Sequence, residues 1–168
     1  SLTFMNPRKD LLNISSLTYE EVHTLLDSAG PMKELFTKSV KKVPALKGKS
    51  VLTLFYEPST RTRSSFEVAA ERLSADVTNF TVSTSSVVKG ESVQDTIATL
   101  QAMKVDYVIV RHYNSGLPNV IARHTNASVV NAGDGAHAHP SQALLDSFTI
   151  REMFPDVRGL SLIHISEP

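Results

Sequence analysis

From residue 50 onward, apolar runs and amphipathic stretches alternate along the chain. "SVLTLFY" (50–56) predicts a buried strand, and a helix is expected within 60–74, where Phe66, Ala70 and Leu73, with Val77 just beyond, keep helical spacing. "DVTNFT" (76–81) predicts a short second strand and Ser83 to Gly90 a polar loop. Glu91 to Lys104 predicts an amphipathic helix with Val93, Ile97, Leu100 and Met103 turned inward. Ser92 and Asp95 have the spacing of a cap pair at its start. "YVIV" (107–110) is a continuous apolar run, as a strand covered on both faces requires. A helix over Leu117 to His124, a strand "SVV" (128–130), a glycine-rich turn and a helix from about Pro140 to Phe154 come next. Upstream, residues 16–29 predict a helix with Leu17, Val22, Leu25 and Leu26 on one face. Gly30 and Pro31 are expected to interrupt it, with a shorter helix from Met32 to Lys38 and a basic connector from Lys41 to Lys49.

Strand and helix alternating four times argue for a parallel sheet with helices on both faces, so the expected fold is α/β, a three-layer αβα arrangement around four parallel strands. Ligands of such sheets bind beyond the carboxyl ends of the strands. The residues just past each strand are therefore informative. "PSTRTR" trails the first, "SSVVKGE" the second, Arg111 and His112 the third, and "GDGAHAHPSQ" the fourth. The first three carry a cation; the last carries histidines, a glutamine and a serine. The polar chemistry gathers on one rim.

Composition narrows what that rim can serve. The 168 residues suffice for one domain with a substantial core. Seventeen basic and seventeen acidic residues cancel, so no overall field points to nucleic acid or an anionic membrane, and any anion site must be built locally. The absence of cysteine excludes disulfide frameworks, thiol nucleophiles and cysteine-ligated zinc, and agrees with a reducing cytosol. "SLTFMNPRKDLLNISSLTYEE" has no apolar core of signal-peptide length, and no run approaches the roughly 20 apolar residues that span a bilayer. A soluble, cytoplasmic protein is expected.

Arg61 and Arg63 stand where the first strand hands over to a helix, a position whose partial positive charge makes a cation cost about 0.3–1 kcal/mol. Two readings stand. In one, the free N–H groups of the helix start, the hydroxyls of Ser59, Thr60 and Thr62 and the guanidinium of Arg61 hold a dianion, and the cations become favourable. In the other, the helix start is solvated and its arginines pair with Glu67 or Glu71. Arg63 is the weaker ligand candidate and fits a structural pair. Lys89, among Ser83, Thr84, Ser85 and Ser86, reads alone as part of a solvated loop. Arg111 comes directly after a strand too apolar to be exposed, so it lies at that strand's carboxyl end, with His112 as a structural neighbour. Asp134, His137 and His139 offer imidazole and carboxylate metal ligands, but nothing pins both rings to one face. His139 and Gln142, three apart across a helix start, are able to face one ligand. His23 and His124 read as surface or interface residues.

"FYEPSTRTRSSFEVA", "SSVVKGES", "VIVRH" and "NAGDGAHAHPSQALLD", in this order, resemble the carbamoyl-phosphate domain of the aspartate carbamoyltransferases. The likeness runs from about Leu11 to Gly159. The S-T-R-T-R motif is shared with the ornithine carbamoyltransferases, whereas the K-G-E loop and the N-A-G-D-G stretch look like the aspartate branch. The resemblance implies carbamoyl transfer from carbamoyl phosphate to L-aspartate, a step of pyrimidine biosynthesis. Ornithine-type transfer and a non-catalytic phosphate-binding module are the alternatives. It further implies that Ser59, Thr60, Arg61 and Thr62 hold the phosphate, that Arg111, His139 and Thr62 contact the carbamoyl oxygen, and that Gln142 contacts the carbamoyl nitrogen. Ser85 and Lys89 would reach into a neighbouring subunit of a homotrimer, Lys89 also toward aspartate. No covalent intermediate, redox cofactor or metal is implied, nor any nucleic-acid or membrane partner. Ser141 stands where the family usually has threonine, keeping the hydroxyl.

The family's chain is about twice this length, and its second domain grips aspartate. The expected organisation is therefore a carbamoyl-phosphate domain over 1–159 and a truncated or non-native tail over 160–168. "SLIHISEP" resembles a translated sequencing-adaptor read-through, and the fragment alone is expected to be inactive.

Overall fold

The computed structural model describes residues 8–38, 41–81, 92–113 and 116–133, and the strands within them form one four-stranded parallel sheet. In chain order they are β1 (Ser50–Phe55), β2 (Asp76–Thr81), β3 (Tyr107–Arg111) and β4 (Ser128–Asn131), arranged β2-β1-β3-β4. The helices are α1 (Tyr19–Thr37), α2 (Thr60–Arg72), α3 (Val93–Met103) and α4 (Leu117–His124). All four predicted strands are present, each within a residue of its expected limits.

The strand order explains the layers. The connection from β1 through α2 to β2 moves one way across the sheet, whereas those through α3 and α4 move the other way. Crossovers between parallel strands are almost always right-handed, so reversing the direction moves the helix to the opposite face. The packing shows this division. Ile97 and Leu100 of α3 and Leu117 and Ile121 of α4 cover Leu52, Leu54, Val108, Val110 and Val129. On the other face Ala70 and Phe66 of α2 cover Val51, Phe55 and Ile109, with Val77 of β2 beside them. Because successive strand residues face opposite ways, β1 feeds both cores and is buried along almost its whole length.

At the amino end of the sheet, Asp106 ties three strand starts together. Its Oδ2 accepts from the Ser50 backbone N–H at 2.9 Å and from the Ser50 hydroxyl at 3.2 Å, while its own carbonyl accepts from Ser128 N–H at 2.9 Å. The Ser50 backbone donor, helped by the Ser50 hydroxyl and Lys49, holds the Asp106 carboxyl below its ordinary value against the opposing effect of desolvation. At the outer edge, Leu11 forms a parallel bridge to Val130 and exchanges backbone bonds of 2.9 Å with Val129 and Asn131. Asp10 Oδ1 accepts from Val129 N–H at 2.8 Å. This strap occupies ladder groups of β4 that would otherwise be an open edge.

Three expectations change. Gly30 and Pro31 do not interrupt the first helix, which runs unbroken from Tyr19 to Thr37. Pro31 lacks the N–H that a helix would aim at the carbonyl of residue 27, but both residues are exposed, so that carbonyl is open to solvent. Leu25 is 43 % exposed rather than inward, the buried stripe of α1 being Val22 and Leu26. Val93 and Met103, at the two ends of α3, are 37 % and 42 % exposed, because only its middle turns lie over the sheet. The cap pair at Ser92 and Asp95 is present as a reciprocal capping box, and Thr18 with Glu21 forms another on α1. Within the connector, Pro44–Leu46 forms a short 3-10 turn. The loop over 83–90, the helix from about Pro140 and the tail over 160–168 lie outside the described residues. No helix among the described residues is long and apolar enough to cross a membrane.

Leu54 is fully buried, so Leu54→Ala should cost about 2–5 kcal/mol in a denaturant titration. Asp106→Asn should lower thermal stability at neutral pH, because a neutral amide oxygen replaces the charged acceptor of the two Ser50 donors. The carboxylate's depressed folded-state pKa means that its contribution is fully present above the unfolded value of about 3.9 and is lost as pH falls through the folded value. Melting temperatures of the two proteins should accordingly converge below about pH 4; a gap unchanged down to pH 2 would contradict this.

Candidate functional site

The winding of the chain reverses between β1 and β3, and these neighbours carry the two clearest cation candidates. Phe55 at the end of β1 lies in register with Arg111 at the end of β3, and Tyr56 N–H donates to the Arg111 carbonyl at 2.9 Å. The chain leaving β1 enters α2 a few residues later, so the first turn of α2 and the Arg111 side chain leave the sheet from adjacent strands on one rim. Ser59, Thr60, Arg61, Thr62 and Arg111 are thereby brought to the same end of the sheet.

Among the described residues, nothing closes the start of α2. Ser59 occupies the cap position yet makes no side-chain cap bond, and the first turn contains no acidic residue. The first helical bond runs from Arg63 N–H to the Ser59 carbonyl at 3.0 Å, so the N–H groups of Thr60, Arg61 and Thr62 precede the helix's own ladder. Both α1 and α3, by contrast, have their first turns closed by capping boxes. Ser59 and Thr62 are half-buried, whereas Thr60 and Arg61 are exposed.

The two arginines divide. Arg63 turns back along α2 toward Glu67, with Nε 3.6 Å from Oε1, an ion pair too long to be a hydrogen bond. Glu67 Oε1 also accepts from the hydroxyl of fully buried Thr53 at 3.3 Å, which ties the helix to the middle of β1. Arg61 has no hydrogen-bond or ion-pair partner among the described residues. The structural pairing with Glu67 thus belongs to Arg63, and Arg61 remains available.

Arg111 is held from two sides. Its Nε donates to Glu57 Oε2 at 3.4 Å and its Nη1 to the Ala132 carbonyl at 2.9 Å. Each contact fixes one edge of the planar fork, and among the described residues nothing takes the guanidinium's remaining N–H groups. The neighbouring His112 is buried, its ring edge-on to Tyr56 at 4.6 Å and stacked on Tyr113 at 4.3 Å. His112 is a structural neighbour, as its position suggested. His23 packs against Tyr19 at 4.1 Å, and the exposed His124 contacts the Val120 carbonyl through Nδ1 at 2.8 Å.

Ser85, Lys89, His139 and Gln142, like the metal candidates Asp134 and His137, lie outside the described residues. Glu57 and Asn131 are residues that reading the sequence overlooked. Glu57 was visible as the first charge after the apolar run of β1, and Asn131 as an amide interrupting the apolar run of β4.

The chain matches the family described as aspartate/ornithine carbamoyltransferase, carbamoyl-P binding domain, over residues 9–152. It is 92% identical over 162 residues to the aspartate carbamoyltransferase catalytic subunit of Akkermansia muciniphila, covering 96% of this chain and 52% of the relative. It is 58% identical over 159 residues to that of Endomicrobium trichonymphae, covering 95% and 51%. Among solved structures, the catalytic subunit of M. jannaschii aspartate transcarbamoylase superposes with a TM-score of 0.82 at 38% identity, over 91% of this chain and 50% of the other. Aspartate transcarbamoylase from Trypanosoma cruzi, in complex with carbamoyl phosphate and aspartate, superposes with a TM-score of 0.81 at 34% identity, over 90% and 47%. The chain spans about half the length of the curated relatives it matches. The matched residues take in every described strand and helix, and the chain belongs to the aspartate/ornithine carbamoyltransferase family, matching its carbamoyl-phosphate-binding domain.

Proposed function

We propose that this chain carries the carbamoyl-phosphate half of an aspartate carbamoyltransferase. The observation that supports this reading is the open first turn of α2, with the exposed Arg61, beside the doubly held Arg111 on the neighbouring strand. Aspartate is favoured over ornithine as acceptor because the similar relatives are aspartate carbamoyltransferases. Residues over 1–159 would form this domain, and the grip on the acceptor would come from the half of the relatives' length that the match does not reach.

In this reading the phosphate sits on the α2 start, where the N–H groups of the first turn, the hydroxyls of Ser59, Thr60 and Thr62 and the Arg61 guanidinium all donate to it. The neutral amine of aspartate attacks the carbamoyl carbon, a C–N bond forms, and the C–O bond to phosphate breaks with its electron pair leaving on phosphate. The amine proton leaves to phosphate or water. Negative charge grows on the carbamoyl oxygen, which Arg111, Thr62 and His139 face, while Gln142 accepts from the carbamoyl NH2 group. One such preorganised donor supplies about 2.7–4 kcal/mol to the transition state, and alignment of the two reactants contributes up to roughly 7–11 kcal/mol. Ser85 and Lys89 reach the site from a neighbouring copy in a homotrimer. The chemistry asks for no metal or redox cofactor.

Two outcomes are expected. Calorimetric titration with carbamoyl phosphate should show Arg61→Ala binding about 10- to 150-fold more weakly, the equivalent of one charge-assisted hydrogen bond; equal, weak binding by both proteins would sink the reading. In protein expressed from the full reading frame that encodes these residues, Arg111→Ala should lower kcat for N-carbamoyl-L-aspartate formation by about 10²–10³. Faster turnover of ornithine than aspartate would reassign the acceptor.

A further inference from the structure

The structure assigns Asn131 as a positioning residue for Arg111, acting through the turn that comes after β4. The inference rests on the carbamoyl-transfer reading above. Asn131 is the last residue of β4 and is 1 % exposed, in a strand whose inward positions are otherwise apolar. A buried amide must find partners, and each of its ends does. Nδ2 donates to the Leu12 carbonyl at 3.0 Å, on the strap that borders β4. Oδ1 accepts from Gly133 N–H at 2.8 Å, closing an Asx turn two residues on.

That turn presents its carbonyls to β3. The Ala132 carbonyl, enclosed by the Asn131–Gly133 bond, is the one that accepts from Arg111 Nη1 at 2.9 Å. The next carbonyl, that of Gly133, accepts from His112 N–H at 3.1 Å. Gly133 has φ of 121°, a conformation that side chains rarely adopt, so this backbone direction depends on a glycine and on the bond that fixes it. Two consecutive carbonyls of one turn therefore hold the Arg111 side chain and the backbone just after it. Glu57 restrains the opposite edge of the fork. The Ala132 N–H bond to the Val110 carbonyl at 2.7 Å and the Gly133 carbonyl bond from His112 hold the turn on either side. Among the described residues, though, only the Asn131 bond fixes the N–H of the peptide that carries the Ala132 carbonyl. Without it that peptide plane can tilt, and the aim of Arg111 loosens on this side. Asn131 touches no substrate in this arrangement; its effect reaches the reacting carbonyl only through the aim of Arg111.

The test is a double-mutant cycle in protein expressed from the full reading frame, with Asn131→Ala, Arg111→Ala and the pair, read as kcat and KM and accompanied by melting curves. Asn131→Ala should lower kcat at least tenfold, with KM for aspartate changing less than threefold. In the Arg111→Ala background the same change should lower kcat less than twofold, because its target is gone. Asn131→Ser, whose hydroxyl supplies an acceptor for Gly133 N–H, should recover most of the loss and carries the cycle if the alanine variant does not fold. Equal losses in both backgrounds, or no loss of kcat in either, would overturn the assignment in favour of a structural role. If the unsubstituted protein forms no N-carbamoyl-L-aspartate, the functional reading falls, and crystal structures of the variants then decide the positioning claim. An Arg111–Ala132 bond kept unchanged near 2.9 Å in the variant would refute it; a displaced guanidinium would sustain it.

Discussion

The rest of this structure depends on the pairing of β1 with β3. These strands are distant in sequence yet adjacent in the sheet, because the chain turns back across β1 after β2. Parallel pairing puts both carboxyl ends on one rim, and the reversal sends α2 to one face and α3 and α4 to the other, so none of these helices crosses over the gap between the two strand ends. The core makes this arrangement rigid. β1 contributes Leu52 and Leu54 to one apolar cluster and Val51 and Phe55 to the other, so sliding it by one residue would reverse every side chain between layers. Asp106 holds the same register from the opposite end, where its carboxylate accepts both donors of Ser50.

That rigidity is what permits an unfinished helix start. An open first turn with a nearby cation is unfavourable in an isolated helix, by about 0.3–1 kcal/mol for the charge alone. Here α2 is kept in place by Ala70 and Phe66 in the core and by the contact of Glu67 with Thr53, so its first turn need not stabilise itself. The neutral overall charge of the chain fits the same logic. In the proposed reading, attraction for an anion would be concentrated in fixed N–H groups and the exposed guanidinium of Arg61, which distinguish geometry, rather than spread as a basic surface, which would not.

Much of this was legible because the relevant signals are periodic. Continuous apolar runs such as "YVIV" specify doubly covered strands, and Ile97 and Leu100 sit at helical spacing, so element types and the parallel sheet could be read from pattern. The residues trailing each strand then located Arg61 and Arg111. What pattern does not carry is solvent geometry and single-residue pairing. Pro31 reads as a breaker, yet is accommodated because it lies on the wet side of α1. Leu25 fits the apolar spacing of that helix and still faces outward, since the stripe in contact is only as wide as Val22 and Leu26. The strap at Leu11 contributes one bridge, too short to leave a period in the sequence.

The contrast between Arg61 and Arg63 shows where sequence chemistry stops and structure begins. Two residues apart on a helix, they point about 200° apart around its axis. The helix phase that buries Ala70 also brings Arg63 within an ion pair of Glu67, and the same phase leaves Arg61 exposed. The two guanidiniums of one motif therefore divide between an ion pair with Glu67 and an exposed position, and the division is set by the core rather than by the motif. Glu57 and the Ala132 carbonyl do for Arg111 what Glu67 does for Arg63, but with a different result. Because they grip only two edges of the fork, they orient the cation without neutralising every donor. An arginine bound on all sides would be a structural pair, and one bound on none would lose its conformational freedom only when the ligand arrives, at the expense of affinity. Partial restraint by neighbouring main chain is the condition under which a guanidinium on a strand end is both aimed and still able to bind.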